Sequence, residues 1–133
     1  MRVLSGVMAA AAIALAIGCG GSSSSSSSTS PSGGCTPSSS PNTLVIQNNI
    51  ICPSTITVPR GTQLTVVNAD SRTHEMDSDP HPDHTDCPEI NQVDLITPGQ
   101  TKLTGNLNTR RTCGFHDHLN DTNNSLRGSI VIQ

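Results

Sequence analysis

Thr55-Ile56-Thr57-Val58-Pro59-Arg60-Gly61-Thr62-Gln63-Leu64-Thr65-Val66-Val67-Asn68 decides the fold. Its first four residues alternate polar and apolar, and all are β-branched. An extended chain then presents one oily face and one wet face. Pro59 fixes φ and Gly61 frees the backbone, so Pro59 to Thr62 reads as a turn. Leu64-Thr65-Val66-Val67 resumes as a second strand. Working outward, Thr43-Leu44-Val45-Ile46-Gln47 repeats the pattern upstream. Downstream, Pro98-Gly99-Gln100 marks a turn before Lys102-Leu103-Thr104, and Gly128-Ser129-Ile130-Val131-Ile132 closes the chain as a strand. Short runs bounded by Pro, Gly, Asn and Asp predict an all-β sandwich. Past the N-terminal stretch no segment sustains a 3.6-residue apolar period, so helices should be minor.

The N-terminal third carries other information. Met1-Arg2 is a short positive region, and Val3 to Ile17 is apolar and Ala-rich. Residues 1–18 therefore read as a secretory signal. Ala16-Ile17-Gly18-Cys19 resembles a bacterial lipobox, with Ala16 where Leu is usual. The resemblance implies cleavage before Cys19, lipidation of its sulfur and attachment to the membrane. Gly20 in the next position favours the outer membrane. Residues 19–42 are rich in Ser, Gly and Pro, which predicts a flexible tether with Cys35 as its one anomaly. Residues 43–133 make a single small domain exposed to the cell envelope or exterior.

Phe115 is the single aromatic residue of the chain. The core must then be Val, Ile and Leu, and so thin a core gains from a disulfide or a metal. Of seven basic residues one is Arg2 in the signal, against ten acidic residues in all. That balance gives no reason to expect nucleic acid. No phosphate-binding Gly loop, Ser-His-Asp arrangement or helix-borne zinc-protease motif occurs, so the chain is not expected to be an enzyme.

Cys113-Gly114-Phe115-His116-Asp117-His118 and His74 bring in metal chemistry. One thiolate and two imidazoles from separate loops, here Cys113, His116 and His74, are the ligand set of a blue-copper site. All five histidines fall either in the 74–87 stretch or in this one. Met76, His81, His84 and His118 are thus candidate additional ligands, for a second copper or zinc site or to complete the first. Nearby Asp residues are candidates to orient the imidazoles.

Thr57-Val58-Pro59-Arg60-Gly61-Thr62, Val67-Asn68, His74, Pro98-Gly99-Gln100, Cys113-Gly114-Phe115-His116 and Gly128-Ser129-Ile130-Val131 together resemble the cupredoxin family, the plastocyanins, azurins and their relatives. The resemblance covers nearly all of 43–133. It implies a Greek-key β-sandwich with copper at one end, held by His74 from the loop after a central strand. Cys113 and His116 would come from the loop before the last strand. The chain departs from the family in lacking the axial Met after His116, where Asp117-His118-Leu119-Asn120 stands instead.

Cysteine arithmetic leaves alternatives open. Beyond Cys19, four remain: Cys35, Cys52, Cys87 and Cys113. An exported chain usually oxidises paired cysteines. A Cys52–Cys87 bridge leaves Cys113 free as a thiolate, whereas a Cys87–Cys113 bridge removes it. Two functions follow. One is a copper electron carrier of the cell envelope, exchanging electrons with a redox partner protein. The other is a redox-silent copper or zinc chaperone, buffer or sensor that uses the His-rich loops and a metal-transfer partner.

Overall fold

The computed structural model describes residues 34–133. The signal over 1–18, the lipidation at Cys19 and the tether up to residue 33 lie outside the described residues. Nine strands run in order: β1 (Thr43–Gln47), β2 (Ile50–Cys52), β3 (Thr55–Val58), β4 (Thr65–Asn68), β5 (His74–Ser78), β6 (Asp94–Ile96), β7 (Thr101–Leu103), β8 (Arg111–Asp117) and β9 (Arg127–Ile132). Three short 3-10 helices accompany them, and the described residues contain no α-helix. The strands form two sheets, β2-β1-β4-β7 and β3-β9-β8-β5-β6. Both are mixed, since β1 pairs with β4 and β3 with β9 in parallel while the other pairs are antiparallel. This is the expected all-β, Greek-key sandwich.

The alternation seen in sequence sets the core. Leu44 and Ile46 of β1 and Val66 of β4 belong to one buried cluster with Ile56, Val58, Met76, Phe115, Ile130 and Ile132 of the other sheet. Each such side chain contributes roughly 1.5–3 kcal/mol on leaving water. Phe115 is fully buried, and Gly128 opposite it in β9 makes room for the ring. A Cβ at Gly128 would collide with the Phe115 ring and with the Ser54 carbonyl.

Two sequence expectations change here. The stretches carrying His74 and Cys113 read as loops, yet they are the central strands β5 and β8. Their polar residues conceal the strand period, because both faces of this part of the sheet are covered. β5 is buried at four of five positions, including the polar His74, Asp77 and Ser78. The end of the tether also differs from expectation. Cys35 is disulfide-bonded to Cys52. Thr36 N–H donates to the Gln47 side chain at 3.0 Å, and Asn48 Nδ2 donates to the Gly34 carbonyl at 2.6 Å. Residues 34–42 are thus pinned against β1 and β2, and the folded domain begins before Thr43.

Candidate metal centre

β5 and β8 lie side by side, with Asp77 opposite His116 and Met76 opposite Asp117. Side chains alternate across a strand. His74, Met76 and Ser78 of β5 therefore share the inner face with Cys113, Phe115 and Asp117 of β8. Asp77, Gly114 and His116 point to the outer face.

The segment after β5 folds back over that outer face. Asp79 N–H donates to the Gly114 carbonyl at 3.0 Å, and Gly114 N–H donates to Asp86 Oδ2 at 2.7 Å. Within the segment, His84 N–H reaches the Pro80 carbonyl at 2.8 Å and Asp86 N–H the Asp79 carbonyl at 2.7 Å. His84 takes a left-handed backbone (φ 50°) to close this turn. Asn91 braces it, accepting from Ser78 N–H at 2.8 Å and donating to the His84 carbonyl at 2.9 Å. Gly114 must be glycine, because a Cβ there would collide with the Asp79 carboxylate.

This arrangement collects four imidazoles. His81 and His84 come from the folded-back segment, and His116 from β8. His118 opens the 3-10 helix His118–Asn120, which Asp117 caps by accepting from Leu119 N–H. One ring nitrogen from each of the four lies within 4.8 Å of the other three. Four nitrogens bound to one ion at about 2.0–2.1 Å stand roughly 3.3–3.4 Å apart. His84 Nε2 and His118 Nδ1 are already 3.3 Å apart. The donor set therefore fits a single transition-metal ion after small ring rotations.

Three carboxylates lie near the imidazoles, and Asp79 is within hydrogen-bond reach of one of them. Asp79 Oδ1 lies 2.8 Å from His116 Nδ1, and Asp77 Oδ2 lies 3.4 Å from His84 Nδ1 and 3.7 Å from His118 Nδ1. Asp121 Oδ2 lies 3.8 Å from His81 Nε2. His116 Nε2 is buried with no hydrogen-bond partner. Burial pushes the His116 pKa below its ordinary 6.5, against the opposing pull of Asp79, so the neutral ligating form is favoured. His74 shares this pattern, with Asp117 as its carboxylate, so what sets His116 up to bind a cation is its bare Nε2 together with the three neighbouring imidazoles.

The structure does not bring His74, Cys113 and His116 together. Cys113 and His116 are three residues apart on a regular strand, and an odd spacing sends them to opposite faces. Cys113 is disulfide-bonded to Cys87, so its sulfur is no thiolate. The Cys52–Cys87 bridge does not form, since Cys52 bonds Cys35 and Cys87 bonds Cys113. His74 sits on the inner face with Nδ1 2.8 Å from Asp117 Oδ2 and Nε2 3.4 Å from Asp70 Oδ2. Met76 is fully buried in the core. His81, His84 and His118, read as additional ligands, instead join His116 in the one cluster. Sequence reading offered the nearby Asp residues as a group to orient the imidazoles, and the structure puts Asp77, Asp79 and Asp121 beside them. Asp79 and His116 are 37 positions apart, and no local spacing signals such a pair.

No protein-family model matches the sequence, and no curated protein does either. Solved structures do resemble the chain. A mutant fern plastocyanin is 16% identical, with 68% of this chain and 99% of that one covered and a TM-score of 0.54. A purple cupredoxin from Nitrosopumilus maritimus is 13% identical over 68% of this chain and 98% of that one, with a TM-score of 0.50. Amicyanin from Paracoccus versutus is 13% identical over 74% and 85%, with a TM-score of 0.53. At these identities the likeness carries the fold alone, and that fold is cupredoxin-like.

Proposed function

We propose that this domain is an exported metal-binding module that holds one copper or zinc ion through His81, His84, His116 and His118. The observation that carries the reading is His116, whose Nδ1 is held by Asp79 while its buried Nε2 has no partner. Its ring lies 5.3 Å from that of His84, 5.6 Å from His81 and 6.4 Å from His118. Leaving a buried ring nitrogen unmatched costs about 1–3 kcal/mol. A bound cation would remove that penalty. When bound, the ion would give the domain a charge and ligand-exchange chemistry that this chain's side chains lack. Among the readings open in the sequence, the chaperone, buffer or sensor is preferred to the electron carrier, because Cys113 is bridged and faces the core. The lipobox-like segment and the tether would place the module at a membrane surface, facing a protein that donates or accepts metal.

The test is a titration of the apo protein with Zn(II) and Cu(II) at neutral pH. About one ion should bind per chain, and His116→Ala should abolish tight binding. Failure to bind either ion would overturn the reading.

A further inference from the structure

We infer that the four-histidine cluster is a site for borderline divalent cations, Cu(II) and Zn(II), that discriminates against Cu(I). This deepens the metal-binding reading above and rests on it. Two independent features carry it.

The first is charge. Asp77, Asp79 and Asp121 all lie within 3.8 Å of an imidazole nitrogen of the cluster. The cation that approaches these carboxylates is Arg127, with Nη1 3.6 Å from Asp79 Oδ1. Among the described residues, the four imidazoles thus sit beside three carboxylates and one guanidinium. Attraction scales with ion charge, so this surplus favours a dication over a monocation. Asp79 also draws on the Nδ1–H of His116 and makes its free Nε2 a stronger donor.

The second is the sorting of donors. Cu(I) is soft and is selected by thiolate and thioether sulfur, whereas imidazole suits Zn and Cu(II). The sulfurs near this region are those of Met76, Cys87 and Cys113. All three residues belong to the buried core and are at most 1% exposed. Met76 and Cys113 project from the inner face of β5 and β8, and His116 from the outer face, so the sheet backbone stands between them. Cys87 and Cys113 are also bonded to each other. Among the described residues, no sulfur can join the imidazoles while the sheet and the disulfide are intact.

The experiment uses the full-length protein in detergent. Zn(II) and Cu(II) are titrated in air against a competing chelator, and Cu(I) anaerobically against bicinchoninate. Wild type should take up both divalent ions but leave Cu(I) with bicinchoninate. Asp77→Asn and Asp79→Asn should each lower Zn(II) and Cu(II) affinity about 10–100-fold. If wild type takes Cu(I) from bicinchoninate as readily as it binds Cu(II), the discrimination is wrong while the metal-binding reading stands. If no ion binds at all, both are wrong. The wild-type comparison needs no substitution, so a poorly folding variant does not blunt the test.

Discussion

Asp79 Oδ1 and His116 Nδ1 lie 2.8 Å apart across the backbone of Gly114, whose missing Cβ leaves room for the carboxylate. The contact joins the folded-back segment after β5 to the outer face of β8. It also fixes which nitrogen of His116 is free. Removing the carboxylate while keeping side-chain shape should therefore loosen metal without unfolding the domain. Asp79→Asn is expected to weaken Zn(II) binding about 10–100-fold. The apo melting temperature should change little. Isothermal titration and a thermal melt check the pair, and equal affinities for variant and wild type would refute the role given to Asp79.

His74 and His116 should behave as opposites. His116→Ala and His84→Ala are expected to abolish tight binding while leaving a folded apo domain. His74→Ala should leave the metal stoichiometry intact and destabilise the fold. It removes the partner of Asp117 Oδ2, on a carboxylate 1% exposed, while Oδ1 still accepts from the Glu75 and Leu119 amides. Losing the hydrogen-bond partner of a buried polar group costs about 1–3 kcal/mol. Denaturant melts and metal titrations on the three variants separate the two roles. Loss of metal with unchanged stability in His74→Ala would restore that residue to the metal site.

The Cys87–Cys113 bridge closes a sequence separation of 26 residues that includes β6 and β7. Loop-entropy reasoning assigns it about 3.5 kcal/mol. Cys113→Ala with Cys87→Ala should lower unfolding free energy by that order. A non-reducing digest should yield Cys87–Cys113 and Cys35–Cys52 linked peptides. Copper-loaded wild type should lack the intense visible band of a thiolate–copper bond. A strong blue colour would show that Cys113 ligates copper.

His116 and Asp70 both contribute to the pH response of the apo protein. His116 has its pKa lowered from 6.5 by burial, partly offset by Asp79. Its neutral form is favoured in the fold, so the stability tied to it is full above about 6.5. That contribution declines as pH falls below the unfolded value and stops declining below the folded pKa. The same lowering keeps His116 able to ligate at more acid pH than an ordinary histidine. Asp70 behaves differently. Burial pushes its pKa up, but the amides of Asn49 and Ser71 and the imidazole of His74 bring it below 3.8 overall. Its contribution is present above 3.8 and is lost as pH falls through the lower folded value. Stability profiles of wild type, His116→Gln and Asp70→Asn should differ in these two windows. Parallel profiles would contradict both assignments.

Much of the fold was legible along the chain. Thr43–Gln47 and Thr55–Val58 are strands with the bounds their alternation suggests, and the C-terminal run differs from β9 only by Arg127. β3 buries alternate positions, and in β1 Leu44 and Ile46 are at 0% against 6% and 8% for Thr43 and Val45, so their apolar, β-branched residues still signal strands. β5 and β8 escaped that reading. With the core on one side and the folded-back segment on the other, their polar residues are buried through partners far away in sequence. The concentration of histidines into two stretches was legible as well, and so was the question of whether Cys113 is a thiolate.

The sequence by itself determined the sandwich, the apolar residues that fill it and the imidazoles available for metal, because these follow from local period and composition. Only the tertiary structure decided which imidazoles meet. β8 continues as a strand through Asp117, so strand parity turns Cys113 inward to Cys87 and His116 outward to Asp79. His81 and His84 reach His116 because their segment folds across the sheet. That choice depends on hydrogen bonds between residues tens of positions apart, such as Asp86 with Gly114 and Asp79 with His116, and no spacing along the chain encodes them.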